Sequence, residues 1–167
     1  MQQDETCTAG GAPAPAPALV NLALGQTATQ STTAFSGVPS RAVDGNTSGI
    51  YGEGSVTHTS LALAQPWWQV DLGASANIAD IELWNRTDAC CTQRLSDAVI
   101  FVSSTDMTGR SLAELEADPT VASYSIDGVL GVTTAIDADV SGQFVRVQLR
   151  GSSAVLSLAE VVINGNF

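Results

Sequence analysis

From Asn21 onward the chain reads as short runs of alternating apolar and polar residues, separated by Gly, Ser, Asp and Asn. A period of two marks strands that bury one face. The strongest runs are 67–72 (WWQVDL), 76–85 (ANIADIELWN), 97–103 (DAVIFVS), 120–126 (TVASYSI), 143–150 (QFVRVQLR) and 154–163 (AVLSLAEVVI). The run 143–150 alternates most cleanly, with Phe144, Arg146, Gln148 and Arg150 on one face and Val145, Val147 and Leu149 on the other. One stretch breaks the pattern. Residues 110–119 (RSLAELEADP) predict a short helix, with Ser111 as its cap, Glu114 three residues on, and Pro119 as its stop. No internal repeat is evident. Short strands at sandwich-like spacing with a single helical turn predict an all-β fold, an antiparallel β-sandwich or jelly roll with one short helix.

Residues 1–18 stand outside this pattern and end in GGAPAPAPA. Alternating Ala-Pro favours extended polyproline II and makes a semi-rigid spacer. The segment reads either as a linker in a larger secreted or surface-tethered protein, or as a leader with no role of its own. It lacks the basic and apolar regions of a signal peptide, so such a peptide is expected to be absent or already removed. The folded domain is expected over 19–167.

Charge narrows the partners. The net charge is −11, and all six cations are arginine. Nucleic acid and anionic membranes both require a basic footprint, so neither is an expected partner. No apolar run approaches the ~20 residues needed to span a bilayer. The three cysteines are Cys7, Cys90 and Cys91, with no CxxC. A zinc ribbon is therefore excluded. An adjacent pair buried in a core would stay reduced. In an exposed loop it would close into a rigid apolar knob, implying an oxidising compartment.

Candidate chemistry is sparse. The only histidine, His58, cannot build a multi-histidine metal site, and no G-x-S-x-G elbow accompanies it. No pair of carboxylates stands out for glycoside hydrolysis. The reading is therefore of a protein that is not an enzyme. The densest polar cluster is Asn85 to Arg94 (NRTDACCTQR), directly after a predicted strand. It spends two of six arginines in one loop beside the cysteine pair. The plain alternative is two solvated arginines paired to Asp88 and Asp97.

These residues carry a family resemblance. From Ala28 to Phe167 the chain resembles the F-type lectins (fucolectins), within the discoidin and coagulation-factor C-domain superfamily. The superfamily marks are the segments 21–31 (NLALGQTATQS), 42–46 (AVDGN) and 67–73 (WWQVDLG). The F-type mark is sharper: a His, then Arg-x-Asp, adjacent cysteines and a further basic residue. Here these are His58, Arg86, Asp88, Cys90-Cys91 and Arg94.

The resemblance implies a lectin domain recognising terminal α-L-fucose on glycans. His58, Arg86 and Arg94 would hydrogen-bond the axial 4-hydroxyl, the ring oxygen and the 3-hydroxyl. Arginine suits vicinal hydroxyls because it presents fixed, permanently charged forked donors. An oxidised Cys90–Cys91 pair would offer a flat apolar face to the ring, and Tyr51 would meet the 6-methyl group. Asp88 would brace Arg86 and Arg94. The resemblance also implies a structural Ca2+ held by the Arg41 carbonyl, Asp44, Asn46, the Ser55 hydroxyl, the Ala159 carbonyl and Glu160, all oxygen donors.

Three departures from the family pattern bear on these roles. Ala89 lengthens the stretch from Asp88 to Arg94 by one residue. Val56 and Ala159 stand where some members carry a disulfide. Gly52 replaces a second aromatic, thinning the methyl pocket. Trp67, Trp68 and Trp84, on or beside strands, read as core rather than as sugar platforms. Asn46-Thr47-Ser48 and Asn85-Arg86-Thr87 match the N-glycosylation pattern, but modification there would obstruct the proposed sites. Weak single-site affinity implies multivalent assembly or tethering, for which the Ala-Pro segment is suited. The competing expectations are a discoidin-like adhesion module without fucose specificity, and an accessory module of a larger glycosidase.

Overall fold

The computed structural model describes residues 17–167, so Cys7 and nearly all of the Ala/Pro-rich segment lie outside the described residues. Seven antiparallel strands form the fold: β1 (Val20–Asn21), β2 (Thr27–Gln30), β3 (Trp67–Asn85), β4 (Ser96–Ser103), β5 (Ala122–Val129), β6 (Thr133–Leu149) and β7 (Leu158–Asn166). One helix, α1 (Leu112–Ala117), completes it. Among the described residues no helix is long and apolar enough to cross a membrane.

The two long strands make the sandwich. The runs 67–72 and 76–85 are one strand, β3, interrupted by a register shift between Asp71 and Ala76. Gly73 has φ +83 there, a conformation that a side chain would strain. Before the shift β3 pairs with β2 and the C-terminal half of β6. After it, β3 pairs with β7 and the N-terminal half of β6. Strands β4 and β5 extend the first layer, and β1 and β7 complete the second. Trp68, Val70 and Leu72 from one half meet Ile81 and Leu83 from the other in a single core, with Val145, Val147 and Leu149. Burial of these side chains at about 25 cal/mol per Å² is the main force closing the layers.

The expected outward face of 143–150 is not solvated. Segment 104–121, with α1, covers it and packs Met107, Leu112, Leu115 and Val121 against Val99, Phe101 and Phe144. Arg146 is fully buried there, with its guanidinium 4.3 Å from the Trp67 ring centroid and one bond to the Arg110 carbonyl at 3.2 Å. The predicted capping box forms as expected between Ser111 and Glu114. Trp68 is core, donating from Nε1 to the Pro39 carbonyl at 2.9 Å. Trp67 and Trp84 are only half-buried, because their positions in β3 face away from the main core. The 154–163 run also needs correction: β7 begins at Leu158, while Ala154 makes an isolated bridge to Leu63.

Termini and loops segregate. β1 pairs Val20 with Gly165 at one pole. The turns after β3, after β5 and before β7 gather at the other.

Candidate functional site

At the pole opposite the termini, the chain on either side of His58 is clamped twice. Thr57 and Thr59 each donate a backbone N–H to segment 156–158 (to Leu158 at 2.8 Å and to Leu156 at 3.1 Å). Their hydroxyls accept from the same two residues, Leu158 N at 3.0 Å and Leu156 N at 3.0 Å. His58, facing the other way, donates its N–H to the Gly37 carbonyl at 2.9 Å and accepts from Ala34 N at 2.9 Å. A Cβ on Gly37 would sit 2.4 Å from the His58 nitrogen, so only glycine permits this approach. The imidazole Nδ1 lies 2.6 Å from the Thr59 carbonyl, which can only accept. Nδ1 therefore carries the proton, and Nε2 is left with its lone pair.

The loop after β3 supplies the other polar groups. Asn85 holds it through Nδ2, which donates to the Thr92 carbonyl at 3.0 Å and the Leu130 carbonyl at 3.2 Å. Arg86 is buried and forks onto Asp88: Nε donates to Oδ1, and Nη2 to Oδ2 at 2.7 Å. Its guanidinium carbon lies 4.6 Å from the Tyr51 ring centroid, a cation–π contact. Arg94 donates from Nη1 to His58 Nε2 at 3.0 Å. Cys90 and Cys91 are joined, with sulfurs 2.05 Å apart and Cys91 buried beneath Cys90 in the loop. Arg86 Nη2 approaches Cys90 Sγ at 3.5 Å.

Together these residues enclose a shallow depression of about 340 Å³, lined by His58, Arg86, Arg94, Cys90, Cys91 and Tyr51, with Phe35 and Leu61. All six residues that the sequence assigned to the sugar site thus meet in one place. Asp88 contacts Arg86 but makes no ion pair with Arg94, so it braces one arginine rather than two. Asp97, the alternative arginine partner, instead accepts from Gly128 N at 2.9 Å.

Phe35 and Leu61 were not legible as site residues. Phe35 meets His58 edge-on, at 5.1 Å between centroids. Its carbonyl accepts from the Tyr51 hydroxyl, joining two loops on one side of the depression. Phe35 and Ser36 both have positive φ, +49 and +59, rare for such residues and costly unless contacts fix them. They carry no sequence signal beyond the glycine that follows.

Electrostatics follow from burial. Desolvation, then the charges of Arg94 and Arg86, lower the His58 pKa, opposed by the Thr59 carbonyl. The Arg86 fork holds Asp88 below the usual carboxylate range. Arg86 is neutralised by Asp88, whereas Arg94 makes no ion pair among the described residues. The lining therefore combines directional donors and one acceptor with an apolar floor of sulfur and aromatic edge. Such a lining suits a neutral, hydroxyl-bearing ring with one apolar face.

The residues expected to hold calcium come from segment 41–55 and from β7. Glu160 is fully buried in β7; Oε1 accepts from Gly45 N at 3.1 Å, while Oε2 has no partner. Burial first, with a further push from Asp44, raises its pKa to about 7 against the Gly45 bond. Asp44 Oδ1 accepts from Asn46 N at 2.8 Å, and Asn46 Oδ1 from Ser48 N at 3.1 Å. Ser55 is buried and donates to the Ser48 carbonyl at 2.5 Å. Ala159 is buried, and the Arg41 side chain donates to the Val56 carbonyl at 3.0 Å. A buried carboxylate oxygen without a partner, beside a second carboxylate and an oxygen-rich loop, fits a hard divalent cation.

Comparison with known proteins identifies the family and the fold. The family model described as NedA-like, galactose-binding domain, of the F5/F8 type C group, matches residues 41–147. Fucolectin-1 from Anguilla japonica is 32% identical over 151 residues, 86% of this chain and 80% of that protein. A match to Fucolectin-4 of the same eel takes in only 35% of that protein. Among solved structures, a mutant lectin binding domain of Lectinolysin complexed with Lewis b superposes with a TM-score of 0.76 at 33% identity, covering 90% of this chain and 100% of that one. A fucose binding module of Streptococcus pneumoniae, SpX-3, gives a TM-score of 0.74 at 36% identity, over 87% of this chain and 97% of that one.

Proposed function

Since this chain belongs to the F-type lectin (fucolectin) family of F5/F8 type C domains, we propose that it is a non-catalytic lectin domain binding terminal α-L-fucose on glycans. The observation that carries this reading is the convergence of His58, Arg86 and Arg94 over the Cys90–Cys91 floor. Two relatives point the same way by name, one a fucose binding module and one a complex with Lewis b.

The roles follow from the chemistry of each group. Arg86, fixed by Asp88, offers donors to ring and hydroxyl oxygens without being able to turn away. His58 Nε2 has one lone pair, which accepts from Arg94 in the free protein; a hydroxyl proton would take that place, and the Arg94 donor so released would turn to the same or a neighbouring hydroxyl. The sulfur floor and Tyr51 accept the C–H face and methyl group of a 6-deoxy sugar, which lack any group to hydrogen-bond. Titration with L-fucose and with D-galactose tests the reading. Binding of L-fucose alone at millimolar concentration is expected; no heat with either sugar overturns it.

A calcium ion would be held by Asp44, Asn46 and Glu160 with the Ser55 hydroxyl and the Arg41 and Ala159 carbonyls. It would neutralise the buried Glu160 and tie β7 to the loop that carries Tyr51 and leads to His58. The joined cysteines, with Cys90 at the surface, suit an oxidising, extracellular compartment. Display of several copies, or tethering to other domains, would raise avidity above the weak affinity of one site.

A further inference from the structure

The loop that brings Phe35 to the depression turns sharply, and a side chain outside the lining holds it. Gln30 ends β2, where it pairs with Trp68. Its amide nitrogen donates to the Thr33 hydroxyl at 2.8 Å, to the Gly37 carbonyl at 3.0 Å and to the His58 carbonyl at 3.4 Å. Carbonyls can only accept, so the nitrogen and not the oxygen must face them. Two protons serve three acceptors, the longest bond being shared.

Both carbonyls already belong to the backbone bonds that seat the histidine. His58 N donates to Gly37 O at 2.9 Å, and Ala34 N donates to His58 O at 2.9 Å. A carbonyl oxygen has two lone pairs, so Gln30 takes the second of each. One amide thus joins the loop 31–38 to the chain at His58. Within that loop Phe35 and Ser36 hold φ of +49 and +59, and Gly37 N returns to the Ala34 carbonyl at 2.9 Å. The other end of the amide is unsatisfied: Gln30 Oε1 is buried and has no partner. An orphaned buried acceptor lowers stability, and a methionine of nearly the same shape would leave none. What the amide alone supplies is a donor to two carbonyls. Those carbonyls set where the His58 backbone lies. They therefore decide whether Nε2 meets Arg94 at 3.0 Å and whether Phe35 meets the imidazole edge-on, at 5.1 Å between centroids. Gln30 itself does not line the depression.

Resting on the fucose reading, we infer that Gln30 is a positioning residue of the sugar site: its amide holds the Gly37 and His58 carbonyls together and so aims the imidazole and Phe35 at the ligand without touching it.

Gln30→Met in the whole chain tests it, by calorimetry with L-fucose and by NMR of the imidazole. His58 is the only histidine, so its ring signals are unambiguous. The variant should bind L-fucose roughly tenfold more weakly, as expected when one or two hydrogen bonds to the sugar are misaligned. Its His58 ring signals should differ from the parent's before any sugar is added. Gln143→Met is the control: it loses an amide bond of 2.9 Å to Asp71, away from the depression, and should bind within twofold of the parent with its His58 signals unmoved. Both variants are compared well below their melting temperatures, where lost stability alone leaves affinity unchanged. If Gln30→Met binds within twofold of the parent, or leaves the His58 signals in place, the inference falls and the fucose reading stands. If Gln30→Met does not fold, the parent's own side-chain amide signals decide: those of Gln30 should shift as L-fucose is added while those of Gln143 stay, and a silent Gln30 overturns the inference. If the parent binds no L-fucose, the fucose reading falls, and the His58 signals alone decide whether Gln30 places the ring.

Discussion

Arg94 donates to Nε2 of His58 at 3.0 Å, while Nδ1 of the same ring is committed to the Thr59 carbonyl at 2.6 Å. The histidine is thereby locked as a neutral acceptor between two guanidinium groups. Protonating it would set an N–H against an N–H.

This fixes the sign of a pH dependence. The His58 pKa is lowered by burial first and by the neighbouring arginines second. Below the ordinary histidine value of about 6.5 the unfolded chain therefore takes up the proton before the folded one. The contribution of this ring to stability is complete above that value and is lost as pH falls through the lower, folded one. Fucose affinity should be flat from pH 8 down past 6.5 and decline only as pH falls through the lower, folded value, while Asp88, held low by Arg86, stays ionised. Calorimetry across this range checks it. Undiminished binding at a pH where NMR shows the His58 ring protonated would show that His58 is not an acceptor for the sugar.

Arg86→Lys keeps the charge but loses the fork onto Asp88. A single ammonium cannot reproduce two parallel donors. Affinity for L-fucose should fall by at least about tenfold, since a hydrogen bond to a charged group contributes about 1.5–3 kcal/mol. The same change in Arg110, which pairs with Asp118 beside α1 and lines no part of the depression, should leave affinity within twofold. Comparing dissociation constants of the two variants decides whether the fork matters.

Calcium should raise the melting temperature and chelator should lower it. At a hundredfold excess over its dissociation constant, a bound ion adds about 2.7 kcal/mol. For a chain of this size that corresponds to about 5–10 °C. Glu160→Gln should abolish the calcium response while preserving the fold, because an amide can still accept from Gly45. A transition unaffected by either reagent would leave Glu160 as a buried carboxylate with no cation.

Gly37→Ala places a methyl group 2.4 Å from the His58 nitrogen. Overpacking of this kind typically costs about 1–3 kcal/mol. Both the melting temperature and fucose affinity should drop, because the strain is relieved only by moving the backbone that carries His58. Gly52→Ala, with open space around its Cβ, should change neither by comparison.

Cys90 and Cys91 should resist alkylation until reduced, as mass measurement of the peptide containing them will reveal. Reduction should weaken L-fucose binding several-fold, since two separate thiols cannot present one flat apolar surface to a sugar. Equal affinity before and after reduction would remove the joined pair from the site.

The strands were legible where β-branched and aromatic residues concentrate, as in 97–103 and 143–150, although both faces are buried there, one in the sandwich core and the other beneath segment 104–121. The first half of β6 was not. Its Ile136, Ala138 and Val140 face inward, but Asp137 and Asp139 on the other face disguise it as loop. The register shift that joins 67–72 to 76–85 was hidden for a related reason: Gly73 to Ser75 reads as a turn, and only pairing with β6 on both sides makes it a single strand. In the site, rare residue types told most. One histidine, adjacent cysteines and clustered arginines stand out in a chain poor in all three. Phe35 and Leu61 did not, since an apolar residue in a loop has no spacing to betray it. Thr57 and Thr59 flank the histidine in plain view, yet their hydroxyl bonds to 156–158 depend on segments about a hundred positions apart.

The pairing of Val20 with Gly165 at the far pole has a mechanical consequence. Tension between a glycan held at Arg86 and either end of the described chain runs lengthwise along β3 and β7. Their ladder from Asn77–Asn166 to Asn85–Leu158 is loaded in shear, so many hydrogen bonds share the force at once. Pulling the two chain ends away from each other instead meets only the two-residue contact of β1, which opens like a zip. The domain is therefore stiff along β3 and β7 and compliant between the two ends of the described chain.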